Sequence, residues 1–313
     1  LVFDFHRLRL GPFEGPAIVK PPALPVDTYW RKKMLASDGS NLLFIAGCPR
    51  SGTTWLHRLV ASHELCATGQ ETNLFDEYLG RFILAWKLEP THFDGRGPHG
   101  LRCYLTEHEF WVQLRKFVIS LFGDIQIAEG GYFIEKTPTN ICHVDKILEL
   151  FPQAKVVIIH RHPFQVVPSL LSASKSWGKN WAPSNMVRAI KMWRRYARCT
   201  LEALSFTSSG RVIVIPFDRL RMGTADELKL IFDFMKLQYS EEKIQNIVED
   251  NRAGGPRMLK IPLYGEYNGG VLEEPEGFHR EQKSDRKLSF CAKLLIYFIA
   301  HKEMRALGYT FSR

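Results

Sequence analysis

Three observations predict an α/β domain with a central parallel sheet flanked by helices on both faces. Short apolar runs recur along the chain, too brief for helices and without polar alternation, which is the pattern of strands buried on both sides. Segments with helical periodicity separate them, so strand and helix alternate as a parallel sheet requires. No internal repeat or linker divides the 313 residues, and the length suits one large domain.

Residues 1–40 form an irregular extension, because Pro12, Pro16, Pro21, Pro22 and Pro25 interrupt regular structure and leave only 28–35 as a turn or two of helix. The domain proper runs over 41–313. Leu42, Leu43, Phe44, Ile45 and Ala46 form the first strand, which ends at Gly47. Residues 53–62 follow as a helix, with Trp55, Leu56, Leu59 and Val60 on one face. Residues 132–135 are a short strand, and 139–150 a helix that turns Ile141, Val144, Ile147 and Leu148 inward. Residues 155–160 make a second buried strand, and Pro163 opens the next helix at the position where proline is tolerated. A long amphipathic helix spans 184–206, a third apolar strand 211–216, and further helices 225–236 and 241–249. The Gly-, Pro- and charge-rich stretch 252–286 reads as a loop, and 288–307 as a closing helix.

Composition narrows the function classes. Lys+Arg 42 against Asp+Glu 33 leaves a net charge of +9, a surplus that favours an anionic partner without choosing one. No apolar run is long enough to span a membrane. The six cysteines form no metal-type pair, and their sparse spacing suits a reducing, cytoplasmic setting with room for a disulfide or two. No metal site is expected.

The chemistry concentrates between the first strand and its helix. Gly47 and Gly52 bracket Cys48, Pro49, Arg50 and Ser51, and Thr53 and Thr54 follow. This is the spacing of a P-loop, whose backbone N–H groups line a cradle for an anion at a helix N-terminus. The lysine of nucleotide hydrolases is missing, and Arg50 supplies the cation instead, with a planar fork suited to two phosphate or sulfate oxygens. The second strand ends in His160, Arg161 and His162 rather than in a carboxylate for magnesium. Arg161 therefore points to a second anionic group, and Ser169 lies eight residues on, about two helical turns in.

Pro49 to Thr54, the spacing of Arg161, Pro163 and Ser169, and the run Glu135, Lys136, Thr137, Pro138 together resemble the sulfotransferases that use 3′-phosphoadenosine 5′-phosphosulfate. The likeness is greatest to the branch of tyrosylprotein and many bacterial sulfotransferases, and it covers residues 41–236. The resemblance implies a single P-loop-type domain, with Arg50, Ser51, Gly52, Thr53 and Thr54 at the 5′-phosphosulfate. It places Arg161 and Ser169 at the 3′-phosphate and Lys136 at the transferring group, and it implies 3′-phosphoadenosine 5′-phosphate as product. Residues 212–220 resemble the family's later strand, but Phe217 and Asp218 stand where a Tyr-Glu pair is usual. A basic closing loop near the C-terminus would fall on Arg280, Lys283, Arg286 and Lys287, which alternatively form a solvated charge run.

Sulfuryl transfer needs a base for the acceptor's proton. In the tyrosylprotein branch a glutamate lies twenty-one residues past the loop arginine, and Glu71 has that separation from Arg50. Glu135 is the rival, followed by His57 and His63. Residues 74–131, with Trp86, Tyr104, Trp111, His92, His99 and His108, form the expected acceptor-binding insertion, and Lys179 to Trp181 another rim. The acceptor is a small molecule, sugar or peptide, and neither its identity nor the oligomeric state is legible. Two other readings stand beside this one. A kinase or NTPase with a degenerate loop lacks its lysine, and a non-catalytic polyanion binder lacks any recognisable nucleic-acid module.

Overall fold

The computed structural model describes residues 35–89, 100–122, 125, 127–252, 260–262, 271–273 and 288–311. Strand β1 (Leu42–Gly47) leads into helix α1 (Thr53–Ala61) and the short β2 (Cys66–Thr68). A π-helical turn (Leu74–Leu79) runs into α2 (Gly80–Leu88), and α3 (Glu107–Leu121) follows. Strand β3 (Tyr132–Lys136), α4 (Val144–Leu150), β4 (Lys155–His160), α5 (Pro163–Ser174) and α6 (Met186–Ala203) come next. After β5 (Val212–Pro216) come α7 (Phe217–Met222), α8 (Thr224–Met235) and α9 (Glu241–Asp250). Strands β6 (Lys260–Pro262) and β7 (Val271–Glu273) precede α10 (Phe290–Ala306).

Five strands pair in parallel in the order β2-β3-β1-β4-β5. Alternation along each strand divides the interior into two layers. Leu42, Phe44 and Ala46 of β1, with Val156 and Ile158 of β4, face a core built with α2, α3, α4, α5, α6 and α10. Leu43 and Ile45, with Val157 and Ile159, face a second core shared with α1, α7, α8 and α9. The predicted architecture is therefore the one observed. β1 lies centrally between β3 and β4, with Ile45 beside Lys136 and Gly47 beside Ile159. Both candidate cation-bearing turns thus leave the sheet at its carboxyl edge. The opposite edge carries the turns that feed β3 and β5, where a side chain added at Gly130 or Gly210 would meet nothing among the described residues within 4 Å.

Local chemistry sets the element ends. Thr106 and Glu109 cap α3 reciprocally, and Asn185, Ser240 and Ser289 accept from the first-turn amides of α6, α9 and α10.

The structure departs from the sequence expectation in four places. The helix expected at 139–150 begins as a 3-10 segment, Pro138–His143, because Asn140 donates to the buried Glu135 and holds the tighter turn. The helix expected at 184–206 ends at Ala203 and continues as 3-10 turns. The loop expected at 252–286 contains the antiparallel ribbon of β6 and β7. β2, α2, α3 and α7 went unpredicted, since the three residues of β2 and the six of α7 are too few to show a period and residues 74–131 mix apolar and charged positions. The helical turn expected before Leu35 falls almost entirely outside the described residues. A disulfide joins Cys142 to Cys199 and ties the 3-10 segment to α6. No helix among the described residues is long and apolar enough to cross a membrane.

Candidate active site

The loop after β1 presents an open helix N-terminus. Gly52, at the N-cap with φ 99°, provides no side-chain cap, and the first turn of α1 holds no acid. Its amides and the positive end of the helix are left for an anion. A Cβ at Gly52 would lie 2.6 Å from Phe217 Cδ2, so glycine is needed for both the turn and the ring beneath it. Arg50 takes φ 72°, a left-handed conformation that costs a non-glycine residue about 1–3 kcal/mol unless its surroundings hold it. They do hold it here. Arg50 Nε donates to Ser169 Oγ at 2.9 Å, and the Trp177 ring lies 5.3 Å from the guanidinium. Ser51 and Thr53 are buried, while Thr54 is partly exposed.

Arg161 leaves the carboxyl end of β4. Its carbonyl accepts from Trp193 Nε1 at 3.0 Å, its Nε donates to Gln165 Oε1 at 2.6 Å, and its guanidinium lies 3.8 Å over the Phe217 ring. Spacing left open whether Arg161 and Ser169 converge, and the resemblance placed both at one phosphate; in the structure the Ser169 hydroxyl accepts from Arg50 Nε. Ser169 lies nearly two turns into α5, which carries it across to the first loop, whereas Gln165 is the α5 residue that meets Arg161. Phe217, the position that departs from the Tyr-Glu pattern, therefore touches three site elements: it underlies Gly52, stacks on Arg161 and packs edge-on to Trp55 at 5.8 Å. Its place immediately after β5 was the sequence signal.

The two glutamates near β3 stand in opposite environments. Glu135 is buried and accepts from Thr72 Oγ1 (2.8 Å), Thr72 N (3.2 Å), Thr137 Oγ1 (2.6 Å) and Asn140 Nδ2. Burial raises its pKa against those hydrogen bonds, which lower it. Glu71 is 43% exposed at its side chain and pairs with Lys136 Nζ, which is itself mostly buried. The other two candidate bases are built into the packing. Thr68 Oγ1 gives its proton to the Ile134 carbonyl, so His57 Nε2 donates to Thr68 Oγ1 at 2.5 Å. Burial, then Lys136 and Arg58, drive the His57 pKa well below its usual value. His63 bonds the Gln238 carbonyl at 3.0 Å and packs on Phe232.

Within the 74–131 segment, Trp86 and Trp111 belong to the core: Trp86 stacks on Phe110 at 4.0 Å, and both indoles donate to Glu107. His108 and Tyr104 are exposed, whereas His92 and His99 lie outside the described residues. The second rim holds more. Trp177 and Trp181 are paired at 5.3 Å and are 45% and 40% exposed, beside Arg50. Arg280, Lys283, Arg286 and Lys287 lie outside the described residues. Among the described residues, no three His, Cys, Asp or Glu side chains are grouped to hold a metal ion.

A model described as "Sulfotransferase family" matches residues 43–241. A putative protein-tyrosine sulfotransferase of Caenorhabditis briggsae is 23% identical over 216 residues, 68% of this chain and 71% of the relative. The protein-tyrosine sulfotransferase of Drosophila melanogaster is 22% identical over 224 residues, and the match spans 70% of this chain but only 43% of that protein. Among solved structures, the mouse sulfotransferase SULT7A1 complexed with PAP aligns with a TM-score of 0.52 at 11% identity, over 87% of this chain and 86% of that one. The sulfotransferase domain of the Synechococcus PCC 7002 olefin synthase aligns at 0.50 with 18% identity, over 86% and 94% of the two chains.

Proposed function

The chain belongs to the sulfotransferase family, and we propose that it moves a sulfuryl group from 3′-phosphoadenosine 5′-phosphosulfate to a hydroxyl or amine of a small molecule, sugar or peptide. The observation that carries this reading is that one ring, Phe217, lies against both the start of α1 at Gly52 and the Arg161 guanidinium. The uncapped start of α1 with Arg50, and Arg161 laid on Phe217, offer two cationic grips joined by one side chain. A donor with anions at both ends of an adenosine fits that arrangement. The donor, when bound, supplies the activated sulfuryl group.

In this reading Arg50, Ser51, Gly52, Thr53 and Thr54 hold the phosphosulfate end through amides, hydroxyls and the Arg50 fork. Arg161 and Ser169 hold the 3′-phosphate, and the Ser169 hydroxyl, which also accepts from Arg50, links that end to the loop. Glu71 takes the acceptor's proton, and Lys136 offsets negative charge developing at the transferring group. Glu71 suits the role because it is accessible and ionic, whereas Glu135 spends its oxygens on four local donors.

Calorimetry tests the reading. Adenosine 3′,5′-bisphosphate is expected to bind equally well with and without EDTA, and Arg161→Ala to weaken it about 10- to 100-fold, the loss of one or two charge-assisted hydrogen bonds. Binding that needs magnesium and prefers ATP would overturn the reading in favour of a kinase or NTPase.

A further inference from the structure

The C-terminal residues lie under the turn that carries Arg161. After α10 the chain reverses at Gly308, where Tyr309 N donates to the Met304 carbonyl at 2.8 Å. Residues 309–311 then run against the junction of β4 and α5. The Tyr309 hydroxyl and His160 Nδ1 share a hydrogen bond at 2.6 Å. His162 Nδ1 accepts the Phe164 amide proton at 3.1 Å, which leaves Nε2–H to donate to the Thr310 carbonyl, also at 3.1 Å. The Tyr309 ring packs 4.8 Å from the His162 ring and 6.5 Å from Trp193, and Phe311 meets Phe164 edge-on at 5.8 Å. The residues immediately before and after Arg161 are thus both tied to this tail, while Trp193 holds the carbonyl of Arg161 itself.

We infer that Tyr309 is a positioning residue for the Arg161 grip, acting through His160 and His162 to fix the turn from which the guanidinium reaches Phe217. The inference rests on the reading of Arg161 as the 3′-phosphate ligand. Arginine is a long, flexible side chain, so where its guanidinium lies depends on how firmly its backbone is held. Burial keeps His160 neutral, with its pKa lowered to about 4, and raises that of the Tyr309 phenol, so an O–H···N bond persists across ordinary pH. An ionic tie would weaken with salt, and this one does not.

The test uses the whole chain and two nucleotides. Adenosine 3′,5′-bisphosphate engages both grips, whereas adenosine 5′-monophosphate engages only the first. Tyr309→Phe removes the hydroxyl and keeps the ring, and Tyr309→Ala removes both. The bisphosphate Kd is expected to rise about 2- to 10-fold in Tyr309→Phe, the loss of one hydrogen bond, and further in Tyr309→Ala. The monophosphate Kd should stay at the wild-type value. Thermal melts identify the variants that remain folded, and Tyr309→Phe keeps the question open to measurement should Tyr309→Ala not fold. Equal weakening of both nucleotides, or of neither, overturns the inference while leaving the two-grip reading intact. A wild-type protein that binds the two nucleotides equally well overturns the reading of Arg161, and the inference with it.

Discussion

Glu71 and Glu135 flank Lys136, and exposure separates what each can do. Glu135, buried and encircled by hydroxyl, amide and backbone donors, is an acceptor in a structural network. Replacing it with Gln sets an NH₂ against groups that donate, which leaves buried donors unpaired at about 1–3 kcal/mol. Glu135→Gln is therefore expected to lower the melting temperature, with turnover per folded molecule largely kept. Glu71→Gln should do the reverse: unchanged melting and a rate about 10²- to 10⁴-fold lower, the usual reach of general-base catalysis. Measuring melting and single-turnover rates on both variants separates the roles, and a rate loss confined to Glu135→Gln would exchange the assignments. As candidates, the arginines, the loop glycines and Glu71 could all be singled out in the sequence because each stands at a fixed distance from a motif. The partner of Ser169 could not, since spacing along a helix gives a residue's face but not what lies opposite it. Phe217 was visible only as a departure from a pattern, and its contacts with Gly52 and Arg161 arise from chain segments far apart in sequence.

At the scale of elements, α6 and α10 are joined through one buried carboxylate. Arg194 donates to both oxygens of Glu303, at 3.1 and 3.0 Å, and Arg198 to one of them at 2.8 Å. Burial would raise the Glu303 pKa, but the arginines overcome it and the net shift is downward. A lowered carboxylate pKa contributes stability that is present above its unfolded value, near 4.5, and lost as pH falls through the folded value. Glu303→Gln is expected to cost about 1–3 kcal/mol at neutral pH and to flatten the melting curve against pH below about 4.5. Urea titrations at pH 7 and pH 4 would show it, and parallel wild-type and variant profiles would exclude it. The strands were the most legible elements, because a run buried on both faces has no polar position to blur it. The 74–131 segment was the least legible. Trp86 and Trp111 look like a binding surface in sequence, yet their indoles close over Glu107 inside the packing.

The whole molecule buries several neutral histidines. His160 is lowered to about 4 and His57 well below 6.5, both chiefly by burial. Between pH 6.5 and 4 the unfolded chain binds protons that the folded chain refuses at these sites, so stability falls as pH drops through that window. The melting temperature should therefore decline between pH 7 and 5, ahead of the carboxylates, and His160→Asn should shallow the slope. A flat profile across that range would contradict it. The bridge between Cys142 and Cys199 belongs to this scale too. The cysteine spacing left room for a disulfide or two, and this bridge is one of that kind. Sequence separation of 57 gave no hint that the two residues meet.

Because all five strands point one way, the sheet has a working rim and an idle one, about one strand length, or roughly 17 Å, apart. The turns at Gly130 and Gly210 open on the idle rim, where an added Cβ meets nothing among the described residues within 4 Å. A fluorophore, affinity handle or fused partner attached there would ride on the same frame, a strand length away from the proposed nucleotide site, which makes these two turns the natural places to instrument the protein.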